Sequence, residues 1–421
     1  MSVLELLAVL LTAVALLGWF NHRALGLPDT VGITAVGVLV SVVLAFAGKA
    51  VPGAAQWAQG MAGRFDFPAL VLHGLLSVLL FAGSLHVSFA DLSRQKLPVL
   101  VLSTVGVVLS TVLVGAGTWL LAHALGVDLQ LLNCLLFGAL ISPTDPIAVL
   151  GVLKTVGAPR SLETDIAGES LFNDGTGVVA FLVLLGVATG AADPTPAGIA
   201  LLLLREIAGA LLLGVAAGYF AFALLRGVDS YPVEIIITLA LATASYALAE
   251  RLHVSAPLTV VVAGLVIGNH GVQHAMSERT REHLLSFWDL MDEVLNLVLF
   301  GMVGLLLLGW DGGKVSWLLV FLLIPVVLVA RFLSVGLPAV LLGHWLKRRT
   351  PHAVKVLTWG GLRGGISIAL ALTLPEFRGR DTLVLGTFAV VFFSLLLQAT
   401  TLDWYLRRLG IAQKAPARQT P

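Results

Sequence analysis

The feature that most constrains the fold is a series of long apolar runs, separated only by short polar stretches. Each run has about 17–28 residues, enough for a helix to cross a bilayer core about 30 Å thick. Only 12% of the residues are charged, whereas soluble domains average about 25%. The sequence therefore predicts an all-α polytopic membrane protein with about 13 transmembrane helices. The predicted spans are residues 3–20, 29–47, 67–88, 97–124, 130–153, 164–189, 198–225, 232–250, 255–270, 289–310, 315–342, 353–374 and 382–406.

Basic residues indicate how the chain crosses the membrane. With residue 1 outside, most loop lysines and arginines fall on the inner side, including Arg94, Lys96, residues 347–349, Arg407 and Arg408. Inner loops carry the excess of positive charge in membrane proteins, so we predict an outside N-terminus and a cytoplasmic C-terminus. The first run lacks a basic leader and a small-residue cleavage site, which indicates a retained span. We expect a plasma (inner) membrane location.

Charge and cysteine content exclude several classes of protein. The formal net charge is +1 and the basic residues form no single face, so nothing points to a nucleic-acid partner. Cys134 is the only cysteine, which excludes an internal disulfide framework and a cysteine-rich zinc site.

One apolar run carries charge. Residues 169–177 read ESLFNDGTG inside the predicted span 164–189. An ionisable residue near the bilayer centre costs at least roughly 2.5–3.5 kcal/mol, so Asp174 is a functional candidate. Ser170 lies four residues before Asp174 and shares its helix face, whereas Glu169 faces a neighbouring direction.

Two other spans contain residues that interrupt a helix. The motif SPTDP at 142–146 holds Pro143 and Pro146, each of which removes an amide donor and clashes with the preceding turn. The motif GGLRGG at 360–365 surrounds Arg363 with glycines, including Gly361 and Gly364. Irregular backbone at membrane depth is tolerated only where protein or water covers it. The pattern predicts two crossed discontinuous helices.

These breaks occupy corresponding spans if the chain contains an inverted repeat, as many secondary transporters do. We predict one transmembrane transporter unit over residues 1–410, with halves of about 1–190 and 230–410 linked by a helix at 198–225. Residues 411–421 are predicted to form a short cytoplasmic tail.

The acids and hydroxyls of these motifs suit a hard monovalent cation. Asp174, Asp145, the Ser170 hydroxyl and a Thr144 oxygen would supply oxygen ligands, as sodium requires. No histidine or cysteine accompanies them, which argues against a transition-metal site, and no cofactor is expected. Sodium and protons would compete for the same oxygens.

The three motifs resemble those of monovalent cation:proton antiporters of the NhaP/NHE type, and the likeness runs over essentially the whole chain. The resemblance implies that Asp174 binds cation and proton in turn. It implies that Asn173 marks the ion site and that Thr144 and Asp145 lie beside it.

The resemblance also implies a structural ion pair between Glu169 and Arg331, and a homodimer whose core domain moves against a dimerisation domain. One position departs from the family pattern: Ala82 stands where many prokaryotic members carry an acid. We interpret Asp289, Asp292 and Glu293 as a solvated helix face.

The sequence therefore predicts a secondary transporter, not an enzyme, that exchanges Na⁺ or Li⁺ for H⁺ by alternating access. A single titrating residue, Asp174, implies electroneutral 1:1 exchange, while Asp145 would support it. Potassium/proton antiport and a cation channel remain open as alternatives. An intramembrane aspartyl protease would need Asp145 and Asp174 as a dyad, but the sequence settings of such proteases are missing.

Overall fold

The computed structural model describes residues 3–50, 66–193, 195–306, 315–341 and 352–411. These residues form helices and connecting loops, with no strand among them. Nine helices in this described part are long and apolar enough to cross a membrane. The prediction of an all-helical, multi-pass membrane protein is confirmed. The count of thirteen spans and the division into two halves stay predictions.

Most helices follow the predicted spans with shifts of a few residues at their ends. In chain order the helices are α1 (Val3–Phe20), α2 (Asp29–Ala50), α3 (Phe67–Leu85), α4 (Phe89–Arg94), α5 (Lys96–Ala124), α6 (Leu131–Leu140), α7 (Ile147–Val156), α8 (Arg160–Ala188), α9 (Pro196–Leu225), α10 (Tyr231–Leu252), α11 (Ala256–His274), α12 (Glu278–Leu305), α13 (Trp317–Leu341), α14 (Ala353–Trp359), α15 (Gly365–Leu372) and α16 (Arg380–Arg408). However, α12 begins at Glu278, eleven residues before the predicted span 289–310, and the short helix α4 was not predicted.

Local sequence explains where several helices begin. The Ser255 hydroxyl accepts a hydrogen bond from the Leu258 amide at the start of α11. The Ser277 hydroxyl accepts one from the Thr280 amide at the start of α12. Each bond satisfies one of the amide groups that the first turn of a helix leaves without a partner.

The two predicted interruptions separate helices that would otherwise be continuous. Residues 141–146 are non-helical between α6 and α7, and residues 360–364 are non-helical between α14 and α15. Residues 141–144 and all of 360–364 are buried. Protein therefore covers most of this irregular backbone, as a membrane environment requires.

The helices pack into two groups. The site group consists of α5–α8 and α13–α16, in which α5 contacts α6 and α13, and α13 contacts α16. The flanking group consists of α1–α3 and α9–α12, in which α12 contacts α2, and α11 contacts α3, α9 and α10. Between the groups, α8 packs on α11, and α12 packs on α15. The interrupted helices thus all lie in one group.

Glycine allows one especially close crossing inside the flanking group. A Cβ atom added to Gly37 of α2 would lie 3.0 Å from the Cα atom of Gly304 in α12. Larger residues at this crossing would push the helices apart. Apart from Ile411, the predicted tail at 411–421 lies outside the described residues, as do the basic residues 347–349.

Candidate functional site at the crossed helices

The two interrupted helices meet at their non-helical segments. The backbone amide of Asp145 donates a hydrogen bond to the carbonyl of Leu362, at 2.9 Å. Arg363, which is 1% exposed, donates from Nη1 to the carbonyls of Ser142 at 2.5 Å and Pro143 at 3.1 Å. The end of α6 leaves carbonyls without helical partners and carries partial negative charge. The guanidinium of Arg363 supplies hydrogen bonds to these carbonyls and a positive charge beside them. The sequence alone did not identify these partners of Arg363.

Asp145 lies at the start of α7 and faces the second interruption. Its Oδ1 atom accepts a hydrogen bond from the Ile147 amide at 3.0 Å, so the carboxylate caps the positive end of α7. A Cβ atom on Gly364 would lie 2.8 Å from its Oδ2 atom. Only glycine leaves room for the carboxylate here. Asp145 is half-buried, which leaves part of it accessible.

Helix α8 passes against the first interruption and presents its polar residues there. A Cβ atom on Gly177 would lie 2.6 Å from Cγ of Pro143, so the helix comes very close to the break. Pro143 and Pro146 therefore act together with Gly177: the prolines end α6, and the glycine lets α8 approach the resulting bend.

Thr144 connects the interruption to α8 by hydrogen bonds. Asn173 accepts from the Thr144 amide at 3.3 Å through Oδ1 and donates from Nδ2 to the Thr144 hydroxyl at 2.8 Å. The same hydroxyl lies 2.9 Å from the Ser170 hydroxyl. All three residues are buried. Asn173 therefore holds the irregular backbone, while Thr144 and Ser170 bring two hydroxyl oxygens together.

Asp174 lies next to this network on the same helix. It is 7% exposed, and negative charges on Asp174 and Asp145 would repel each other. A positive charge between them, from a bound cation or from a proton on one oxygen, would relieve that repulsion. The structure thus brings Asp174, Asp145, Ser170, Thr144 and Asn173 into one cluster.

Glu169 and Arg331 form a separate, buried ion pair. Nη1 of Arg331 in α13 lies 2.5 Å from Oε1 of Glu169 in α8, and Nε donates to the Leu357 carbonyl at 3.2 Å. The two side chains are 8% and 2% exposed. Gly361 lies directly against this guanidinium. The pair joins three helices of the site group beside the second interruption.

One acid near the site was not predicted. Asp292 in α12 is half-buried, and its carboxylate interacts electrostatically with that of Asp145. The interpretation of this residue as part of a solvated face is therefore wrong. Its neighbours fit that interpretation better: Glu293 is exposed, and Asp289, 64% exposed, pairs with His86 at 3.0 Å. Ala82 is buried and supplies no carboxylate.

The chain is similar to known proteins over nearly its whole length. Residues 9–408 match the family described as "Sodium/hydrogen exchanger, transmembrane". The Na(+)/H(+) antiporter NhaP of Pseudomonas aeruginosa is 43% identical over 418 residues, covering 97% of this chain and 98% of that protein. The Na(+)/H(+) antiporter NhaH of Halobacillus dabanensis is 34% identical over 415 residues, with coverage of 97% and 98%.

A solved structure shares the fold. The sodium proton antiporter MjNhaP1 from Methanocaldococcus jannaschii, solved at pH 8, superimposes with a TM-score of 0.74. The alignment covers 98% of this chain and 100% of that one, at 19% sequence identity. The arrangement of helices described above is therefore the arrangement of a known membrane protein fold.

Proposed function

This chain belongs to the sodium/hydrogen exchanger family, and from that premise we propose that it exchanges Na⁺ or Li⁺ for H⁺ across the plasma membrane. The observation that carries the proposal is the position of Asp174. A buried carboxylate lies beside the crossing of two interrupted helices, next to Asp145 and to the hydroxyls of Ser170 and Thr144. Sodium and lithium are hard cations that bind such oxygen ligands.

Each residue of the cluster has a distinct role in this proposal. Asp174 binds the cation and the proton in turn, and Asp145, Ser170 and Thr144 contribute further oxygens. Asn173 positions Thr144 through its two hydrogen bonds and carries no charge of its own. Asp145 is held against the start of α7 by the Ile147 amide, which fixes its carboxylate in place for a supporting role.

Coupling follows from the cost of an uncompensated charge. When Asp174 has lost both cation and proton, it is a bare anion, and moving it through the hydrophobic barrier is unfavourable. Only the cation-loaded and proton-loaded forms cross, so each cation that moves one way requires a proton to move back. One exchanging carboxylate gives 1:1 exchange without net charge movement.

The fixed charges hold the site together. Arg363 compensates the carbonyls at the end of α6, and the Glu169–Arg331 pair joins α8 to α13 and α14. These charges stay paired while the cargo changes. In this proposal the site group moves relative to the flanking group, and the flanking group forms the contact of a homodimer.

Orientation and physiological role belong to the same proposal. The distribution of basic loops supports an outside N-terminus and a cytoplasmic C-terminus. An exchanger placed this way in a plasma membrane would expel sodium in return for protons and contribute to pH homeostasis. Its partners are the transported ions and the lipid bilayer.

The test measures proton movement driven by added cations. Everted membrane vesicles with an established pH gradient and a pH-sensitive dye receive sodium, lithium or potassium chloride. Vesicles with wild-type protein are compared with vesicles carrying Asp174→Asn, and with a matched control, Glu163→Gln, in the first turn of the same helix. We expect sodium or lithium to collapse the gradient in the wild type and the control, but not in Asp174→Asn.

Other outcomes would change the proposal in defined ways. A response to potassium alone would make the protein a potassium/proton antiporter with the same mechanism. Cation flux without proton movement would favour a channel. If no cation moves protons in a folded wild-type protein, the proposed exchange is wrong.

A further inference from the structure

One face of α12 is turned toward the protein interior. Trp288, Asp292 and Asn296 are spaced four residues apart and so lie on one side of the helix. Trp288 is fully buried, its ring centroid lies 4.7 Å from that of Phe81 in α3, and its Nε1 donates to the Thr238 hydroxyl at 3.1 Å. Asn296 is 2% exposed. Asp292 therefore lies between two residues that face the protein interior.

Asp292 is also fixed in position. Nδ2 of Asn296 donates to the Asp292 carbonyl at 2.7 Å and to its Oδ1 atom at 3.1 Å. The carboxylate retains free acceptor capacity because a carboxylate can accept several hydrogen bonds.

Leu299 lies seven residues after Asp292 along the same face of α12, and a Cβ atom on Gly365 would lie 2.7 Å from the Cδ1 atom of Leu299. The adjacent Gly364 lies against the Asp145 carboxylate. This face of α12 therefore runs past the segment that contacts Asp145, and the charges of Asp292 and Asp145 interact.

Exposure differs along the first interruption. Asp145 and residues 146–148 are half-buried, whereas residues 141–144 are buried and Asp174 is 7% exposed. The accessible residues belong to the beginning of α7. Asp292 is likewise half-buried, and its carboxylate interacts electrostatically with that of Asp145. In the proposed orientation the predicted span 289–310 begins on the cytoplasmic side, so Asp292 lies toward the cytoplasm.

The neighbouring acids Asp289 and Glu293 have different surroundings from Asp292. The Asp289 carboxylate is 3.0 Å from His86, which directly follows α3, and the Asp289 side chain is 64% exposed. Glu293 is exposed and lies on an adjacent face of the helix. Asp292 is thus the acid of α12 that combines partial burial, a fixed orientation and proximity to Asp145.

We propose that Asp292 is a cation-recruiting residue: it receives a monovalent cation from the cytoplasmic side and passes it to Asp145 and Asp174. The inference rests on the proposed function. A carboxylate placed along the approach raises the local cation concentration and the rate of binding. Two acids in succession let a cation move between oxygen ligands without losing all of them at once.

The test is a comparison of sodium dependence in proteoliposomes. Purified wild-type protein, Asp292→Asn and the matched control Glu293→Gln are reconstituted, and sodium-driven proton flux is measured with sodium added at the cytoplasmic face. The asparagine side chain keeps an oxygen that can accept the hydrogen bond from Asn296, but it carries no negative charge. We expect Asp292→Asn to raise the apparent KM for sodium about three- to tenfold, with kcat nearly unchanged.

The dependence of KM on ionic strength provides a second test. A purely structural effect of the substitution would not depend on ionic strength. Choline chloride screens exposed charges, so the difference in KM between wild type and Asp292→Asn should shrink as its concentration rises. Glu293→Gln should keep the wild-type KM at every concentration. Asp292→Glu restores the charge and should recover most of the wild-type KM. Asp292→Ser replaces the asparagine variant if that variant does not fold.

The outcomes separate this inference from the proposed function. If the wild type shows no sodium-driven flux, the proposed exchange fails. If the wild type is active and Asp292→Asn keeps its KM, or loses kcat alone, Asp292 does not recruit the cation. An equal rise in KM for Glu293→Gln would show a general effect of surface charge and would also overturn the inference.

Discussion

Arg331 and Glu169 form an ion pair of 2.5 Å between α13 and α8, with both side chains almost fully buried. Removing one partner of a buried pair leaves a charge without compensation and typically costs about 3–5 kcal/mol. We expect Glu169→Gln and Arg331→Ala each to lower the thermal midpoint and the folded yield far more than Asp174→Asn does. Size-exclusion chromatography of heated detergent samples measures both quantities.

A double variant provides the control for this prediction. Glu169→Gln combined with Arg331→Met removes both charges and should restore part of the loss caused by Arg331→Ala alone. Equal thermal midpoints for the three single variants would contradict a structural role of the pair.

Gly364 leaves space for the Asp145 carboxylate, and its replacement should disturb the site. In Gly364→Ala the new Cβ atom would lie 2.8 Å from Oδ2 of Asp145, so the carboxylate must move. We expect at least a tenfold loss of sodium-driven proton flux, since misplacement by about 1 Å can cost roughly a hundredfold. Flux in proteoliposomes measures the effect.

Gly151 is a matched control on the neighbouring helix α7. A Cβ atom there meets nothing within 4 Å, and the position is exposed. Gly151→Ala should keep full activity and stabilise the helix by about 0.5–1 kcal/mol. A similar loss of flux in both variants would show that general helix perturbation, and not contact with Asp145, is responsible.

Asn173 makes two hydrogen bonds to Thr144, whereas Ser170 makes one. Asn173→Ala leaves the buried Thr144 amide without this partner and should destabilise the protein by about 1–3 kcal/mol. Ser170→Ala should cost only about 0.5–1.5 kcal/mol, because Asn173 still bonds to the Thr144 hydroxyl. Chemical denaturation in detergent measures the difference. A larger loss for Ser170→Ala would argue against the positioning role of Asn173.

Electroneutral exchange predicts that transport moves no net charge. In a planar membrane containing the protein, a sodium gradient should drive proton flux without a steady current. Adding a cation ionophore to the same membrane is the positive control for current detection. A steady current proportional to transport would show that a second group, for which Asp145 is the candidate, exchanges protons as well.

Several features of the site could be predicted because their causes are local. Pro143 and Pro146 lack the amide that a helix needs, and the glycines around Arg363 weaken helix formation. Both interruptions lie where these residues indicated. The same rule is not sufficient alone: Pro325 and Pro338 lie inside α13, which continues past both. Helix-breaking residues are concentrated at each interruption, as two prolines within SPTDP or four glycines around Arg363, whereas Pro325 and Pro338 stand thirteen residues apart.

The remaining features depend on packing between distant parts of the chain. The partners of Arg363 are backbone carbonyls of Ser142 and Pro143, which no side-chain pattern identifies. Asp292 was misread because its neighbours are charged, although its spacing of four from Trp288 and Asn296 was a usable signal. Which face of α12 meets the site follows only from the contacts of α12 with α3 and α15.

The hydrogen bond from the Asp145 amide to the Leu362 carbonyl joins the two interruptions through main-chain atoms alone. Most side-chain substitutions leave such a bond in place, and proline at 145 would remove the carboxylate along with the amide. A genetic screen for lost transport would therefore return the side chains around this bond and miss the bond itself. Its contribution can be isolated by chemical synthesis, with an ester in place of the amide at residue 145.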